Sequence, residues 1–374
     1  MTSIAGQWIG RYAGSNAGTF VIDLDQIGDR YAGTAVAWDD TRESLNALVR
    51  FSFPAGQNKH LLQAIPITLI DNLGNWATPE FIRMQKETRG IDYPNTVDIN
   101  LNFGDDQLEI NWTTSIGTSA KGTAAIPKTR LNLQSSLTSE RLWTWDRFKQ
   151  KVSSFEAKQF VFRGQKDNTW RLRSSFFRSG RANLERFLNN DVADLQKAFS
   201  AVSNHVFNLA DKLHYGAFLN LAQHHGYPTP LLDWTWSPYV AAFFAFHQLS
   251  KNPVARKRGH VRIYKFDIAK WQNLQRAEKI FPIWPNVSVL DALAFGNPRA
   301  IPQQSISTTS NVDDIETYIE NVEDRESQKY IEVFDLSMSQ RSRVMRELAL
   351  MGITAGSLFP GLDGVCESLK ERNF

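Results

Sequence analysis

The chain has 374 residues, 42% apolar and 22% charged, enough for two globular domains and too apolar for a disordered or fibrous protein. Lys and Arg exceed Asp and Glu by only +3, which argues against a dedicated nucleic-acid coat while leaving local basic patches open. A single cysteine, Cys366, excludes an intrachain disulfide framework and every multi-cysteine zinc site. No apolar run reaches the roughly 18 residues of a membrane span, and residues 1–6 lack the charged start and apolar stretch of a secretory signal. The expectation is a cytoplasmic protein with no membrane partner.

From residue 4 to about 127 the pattern is that of strands. Phe20, Ile22 and Leu24 alternate with Val21, Asp23 and Asp25, and Val97, Ile99, Leu101 and Phe103 alternate with Asp98, Asn100 and Asn102, so one face is expected wet and the other packed. Turn residues tolerant of positive φ fall between the runs, at Gly14-Ser15-Asn16, Gly28-Asp29, Asn72-Leu73-Gly74 and Gly104-Asp105-Asp106. A faint echo between residues 28–35 and 117–124 suggests two similar hairpin arms. The prediction is a small antiparallel β-barrel or sandwich with Trp8, Tyr12, Trp38 and Trp112 in or near its core.

The pattern lapses over residues 128–136, which places a domain boundary between 1–131 and 132–374. Thr138 or Ser139 then offers an N-cap to a helix with Leu142, Trp145, Phe148 and Val152 at helical spacing. Strands are predicted at 159–162, 261–266 and 330–334, with one long helix over 192–213. The fold class is therefore α+β, a β-rich first domain followed by a mixed α/β second domain. The second domain carries the net positive charge, and residues 151–190 hold nine Lys and Arg against three Asp and Glu.

The usual enzyme fingerprints are missing: no Gly-x-Gly-x-x-Gly after a strand, no Walker loop, no Gly-x-Ser-x-Gly elbow, no His-Glu-x-x-His helix. The acidic doublets Asp39-Asp40, Asp105-Asp106 and Asp313-Asp314 read as solvated turns. His224 and His225 are adjacent, with no third ligand near, so no metal is expected.

Two segments are more polar than their pattern requires. In Phe160-Val161-Phe162-Arg163-Gly164-Gln165 an apolar strand ends in a guanidinium, a glycine and an amide, with Trp170, Arg171, Arg173 and Arg178 following. The planar fork of an arginine holds two phosphate or carboxylate oxygens at once, and a glycine permits close approach to the backbone. Arg163 could equally pair with an acid such as Asp233. The second segment runs from Gln223 to Pro238, where His225, Thr229, Asp233 and Thr235 lie among prolines and tryptophans ahead of a helix capped by Ser237 and opened by Pro238. Such a wall beside a helix N-terminus suits an anion or a polyhydroxylated ligand, or it only braces the helix.

These residues resemble the FRG domain, named for its Phe-Arg-Gly motif. The resemblance rests on Phe162-Arg163-Gly164-Gln165, Gln223-His224-His225-Gly226 with Pro228-Thr229, and Leu231-Leu232-Asp233-Trp234-Thr235 with Ser237-Pro238. It continues through Asn297-Pro298-Arg299 and Gln303-Gln304 to Leu358-Phe359-Pro360 and Leu362-Asp363-Gly364, about residues 138–372. Family members often carry a basic residue where Pro230 stands, and a glycine and an aromatic in place of Ser305-Ile306. The order of motifs is similar to ADP-ribosyltransferases. It implies NAD as substrate, bound by Arg163, Gly164, Gln165, Thr229, Asp233 and Thr235. Arg163, His225 and Thr235 would serve the reaction, with Gln303 or Gln304 in the late position that is usually Glu. That implies an ADP-ribosyltransferase or NAD glycohydrolase, a toxin or antiphage effector acting on a protein or nucleic-acid acceptor, with the N-terminal domain sensing a signal or choosing the target. The competing expectation is a module that binds a nucleotide or nucleic acid without turning it over.

Overall fold

The computed structural model describes residues 3–40, 46–69, 75–90, 92–129, 134–203, 205–247, 249–250, 259–274 and 283–373. The predicted boundary at 131/132 and the turn at 72–74 lie outside the described residues.

Among the described residues, nine antiparallel strands form the N-terminal sheet: β1 (Gly6–Gly14), β2 (Gly18–Ile27), β3 (Arg30–Asp39), β4 (Asn46–Pro54), β5 (Lys59–Ala64), β6 (Ile67–Leu69), and, after helix α1 (Pro79–Arg89), β7 (Val97–Phe103), β8 (Gln107–Thr114) and β9 (Gly117–Pro127). Their order is β5-β7-β8-β9-β1-β2-β3-β4-β6. The sheet curls into a half-barrel, and its concave face holds Trp8, Ile22, Leu24, Phe53, Leu101, Phe103 and Ile126. It does not close in the way a small barrel would. Joined across Ile65-Pro66, β5 and β6 go to opposite edges instead of pairing, and Pro66 has no N–H to give to a ladder. The outer face of β2 is not wet either: Asp25 is 1% exposed, covered by residues 181–186.

The second sheet has strands β10 (Leu142–Trp143), β11 (Phe160–Gln165), β12 (Leu231–Thr235), β13 (His260–Asp267), β14 (Val287–Leu290), β15 (Ser305–Ser310) and β16 (Ile331–Ser337). It runs β10-β16-β13-β11-β12-β15-β14, antiparallel except for the pair β10/β16. Between these strands come α2 (Trp145–Val152), α3 (Ser175–Arg178), α4 (Leu184–Arg186), α5 (Val192–Ser200), α6 (Lys212–His224), α7 (Pro238–His247), α8 (Ile268–Leu274) and α9 (Ile315–Glu326), then α10 (Arg341–Leu350), α11 (Ala355–Leu358) and α12 (Leu362–Asn373). One face of the sheet packs on α2, α7 and α10 through Phe162, Ile263, Phe334, Trp145, Phe243 and Val344. The other packs on α8 and α9 through Val161, Tyr264, Phe266, Trp271 and Ile319. The architecture is thus mixed α+β, a curled antiparallel sheet followed by a mixed sheet with helices.

Three local readings change. The helix predicted from 138 or 139 starts at Trp145, because Leu142 and Trp143 are taken by pairing with Asp335 and Leu336; Thr144 is the cap, its hydroxyl accepting from the Arg147 N–H. The helix predicted over 192–213 is broken after Ser200, and Asp211 begins a new one by accepting from the N–H groups of Leu213 and His214. Arg163, Gly164 and Gln165 do not follow the strand but belong to it, paired with Tyr264, Ile263 and Arg262.

Candidate functional site: a cationic cleft where the sheet splits

Strands β11 and β12 share one rung, Phe162 opposite Thr235. Beyond it they diverge, and a cleft of about 1010 Å³ opens there, large enough for a nucleotide-sized ligand. The strands supply Phe162, Arg163, Gly164 and Gln165 on one side and Asp233, Trp234 and Thr235 on the other. Helix α6 adds Asn220, Gln223 and His224, which share one face at spacings of three and four residues. The rest of the wall includes Lys166, Trp170, Arg171, Arg173 and Arg178, and Phe244, His247, Asn297, Arg299, Gln303 and Phe359.

The charges divide into spent and unspent. Arg171 donates to Asp314 at 2.8 Å and to Thr317 at 3.0 Å, Arg173 pairs with Asp313 through Nε and Nη2, and Arg299 lies 3.7 Å from Asp363 while stacking over Phe359. The doublet Asp313-Asp314 is therefore no solvated turn: Asp313 is buried against Arg173, and Asp314 caps α9. Arg163 has no carboxylate at ion-pair distance among the described residues. Its Nη1 donates to the main-chain oxygen of Asp233 at 2.6 Å, and its enclosed Nε has no hydrogen-bond partner. Burial holds the Arg163 guanidinium below its ordinary pKa, with Arg178 pushing the same way and Asp233 opposing. Arg178 is lowered by burial and by Arg173, and its guanidinium donates to the Arg173 carbonyl. Lys166 likewise has no carboxylate within 4.0 Å among the described residues, so Arg163, Lys166 and Arg178 are the unspent cations of the cleft.

Asp233 is the only carboxylate lining the cleft among the described residues. It is exposed, and a chain of hydrogen bonds reaches it: Asn297 donates to Asn220 at 2.6 Å, Asn220 to Ser307 at 3.3 Å, and Ser307 to the Asp233 carboxylate at 3.4 Å. Burial, with Arg299 and His225, lowers the His224 pKa, so its neutral ring faces the cleft at neutral pH.

Of the residues singled out from sequence, Arg163, Gly164, Gln165, Asp233, Thr235 and Gln303 line the cleft. Several of these are engaged. The Thr235 hydroxyl donates to the Gln303 carbonyl at 2.7 Å and accepts from the Ser237 N–H, and the Gln303 amide donates to the Leu358 carbonyl at 2.9 Å. The other three lie elsewhere. His225 caps the C-terminus of α6 and is exposed, so His224 takes the inward place. Thr229 is fully buried with its hydroxyl donated to Gln223, and Gln304 is exposed at φ 48° with its carbonyl accepting from Trp236. Gly164 lines the cleft and is also required by the helix behind it: a Cβ there would lie 1.9 Å from the Ala241 carbonyl oxygen. The face of α6 could have been read from its polar residues at helical spacing among Ala, Leu and Phe; Phe244, His247 and Phe359 carried no such signal.

The mixed sheet splits near its centre, and an arginine-lined cleft opens at the split. The FRG domain family model matches residues 158–253, in the C-terminal half, and the region before it is β-rich. The match spans β11 through α7 and takes in Arg163, Arg178, Asn220, His224 and Asp233. No curated protein and no solved structure matches the chain.

Proposed function

We propose that the cleft binds NAD and breaks its nicotinamide–ribose bond, as an NAD glycohydrolase or an ADP-ribosyltransferase. The observation that carries this reading is one carboxylate, Asp233, in the same cleft as Arg163 and Arg178, two guanidinia with no carboxylate within 4.0 Å among the described residues. The arginines would hold the diphosphate, and aromatic faces at Phe244, Trp170 and Phe359 suit the planar rings. As the C–N bond breaks, its electrons leave with nicotinamide, and the ribosyl carbon becomes cationic. A carboxylate near that carbon stabilises the charge, as in glycoside cleavage, before water or an acceptor oxygen attacks. Asp233 supplies that carboxylate where Gln303 offers a neutral amide already donated to Leu358. A defence or toxin role, with the N-terminal half-barrel selecting the target, belongs to the same proposal.

The same neutral Gln303 favours a second reading, a module that binds a nucleotide or nucleic acid without cleaving it. Incubation with NAD and measurement of free nicotinamide separates the two. On the first reading Asp233→Asn loses about 100-fold in rate with binding retained. Arg163→Ala loses on the order of 2 kcal/mol of binding, about thirtyfold, and Arg163→Lys is also poor because it loses the fork. Tight NAD binding with no nicotinamide released by the wild type selects the second reading.

A further inference from the structure

The stretch 171–186 brings Arg171, Arg173 and Arg178 to the cleft, yet its only helices are the four residues of α3 and the three of α4. So short a scaffold cannot fix three long side chains by its own hydrogen bonds. What fastens it comes in part from the N-terminal sheet. The Asp25 carboxylate accepts from Arg181 Nε at 2.6 Å, Arg186 Nη1 at 3.3 Å, and the N–H groups of Ala182 and Asn183 at 2.8 and 3.0 Å. Gln7, 1% exposed, donates to Asp23 at 2.9 Å and to the Asn311 carbonyl at 2.8 Å, and accepts from the Asp313 N–H at 2.8 Å. Asp313 in turn grips Arg173, whose carbonyl accepts from Arg178. Arg50 of β4 adds a bond to Glu185 at 2.9 Å.

We propose that Gln7 and Asp25 are positioning residues of the cleft, acting through residues 171–186, so that docking of the N-terminal sheet and occupancy of the cleft are coupled. By linkage the coupling runs both ways: a ligand on Arg178 steadies the interface, and a partner that pulls on the half-barrel loosens the cleft. The ligand half of this inference rests on reading the cleft as an anion site; the positioning half does not.

Hydrogen exchange on the full chain tests the positioning directly. In Gln7→Ala and in Arg186→Gln, the amides of Leu172, Phe176 and Arg178, bonded to Glu316, Thr229 and Ser174, should exchange about tenfold faster, while those of β13 keep their wild-type rates. Arg186 is one-third exposed, so its variant keeps the test decisive should Gln7→Ala not fold. Unchanged exchange at the three amides overturns the proposal, as does an acceleration spread equally into β13. In a second arm, inorganic pyrophosphate should bind both variants about tenfold more weakly than wild type. A wild type that does not bind pyrophosphate overturns the coupling to occupancy and the anion site together, and the exchange result still decides whether Gln7 and Asp25 position the segment.

Discussion

Gly164 and Arg163 are neighbours on one strand, and their consequences fall on opposite faces of it. Helix α7 lies so close behind Gly164 that Gly164→Ala must push strand and helix apart, at a cost of about 3 kcal/mol. Urea unfolding measures it, and a variant as stable as wild type would mean that the two elements are free to separate. The Phe-Arg-Gly run was legible as something special, but which side of the strand the helix covers is a tertiary fact, so the packing demand on Gly164 could not be read from the sequence. The histidines misled for a similar reason: successive helical residues point about 100° apart, and one position separates His224 in the cleft from His225 in solvent.

Helix α9 carries a carboxylate that ties down Leu172, the residue between Arg171 and Arg173 of the cleft wall. Glu316, fully buried, accepts from the Ser135 hydroxyl at 2.8 Å, the Ser136 N–H at 3.1 Å, the Leu172 N–H at 2.8 Å and the Tyr264 hydroxyl at 3.2 Å. Glu316→Ala leaves the buried Leu172 N–H without an acceptor, while the Tyr264 hydroxyl keeps the Trp170 carbonyl at 2.9 Å and Ser136 is exposed to water, so it should cost about 1–3 kcal/mol in urea unfolding; no measurable loss would mean that water replaces the carboxylate. Elements whose signals are local were readable: the alternation of β2 and β7, the apolar cores of β13 and β16, and the Ser237-Pro238 start of α7. Elements defined by a distant partner were not. The two residues of β10 are a strand only because β16, nearly 200 positions away, pairs with them.

At the scale of the whole molecule, the junction between the half-barrel and the rest is polar and buried, and this was the least legible part of the chain, since Asp23 and Asp25 fit an ordinary solvent-facing alternation. Burial there, with Asp25 and Asp313 nearby and Gln7 opposing, pushes the Asp23 carboxyl up to about 8. The folded chain then keeps a proton on Asp23 up to that pH, whereas the unfolded chain releases it near 4. Stability must therefore fall as pH rises from about 4 to about 8 and level off above. Asp23→Asn preserves the acceptor for Gln7 and should flatten that part of the profile in urea midpoints between pH 5 and 9; an undiminished slope would place the effect elsewhere. The division of the cleft charges has its own consequence in salt. Of the six lysines and arginines on its wall, Arg171, Arg173 and Arg299 have a carboxylate within 4.0 Å, and Arg163, Lys166 and Arg178 have none among the described residues. Only those three are free to pair with a ligand's phosphates, so the dependence of affinity on ionic strength is expected to be that of about three charges, and a long polyanion gains little over a dinucleotide.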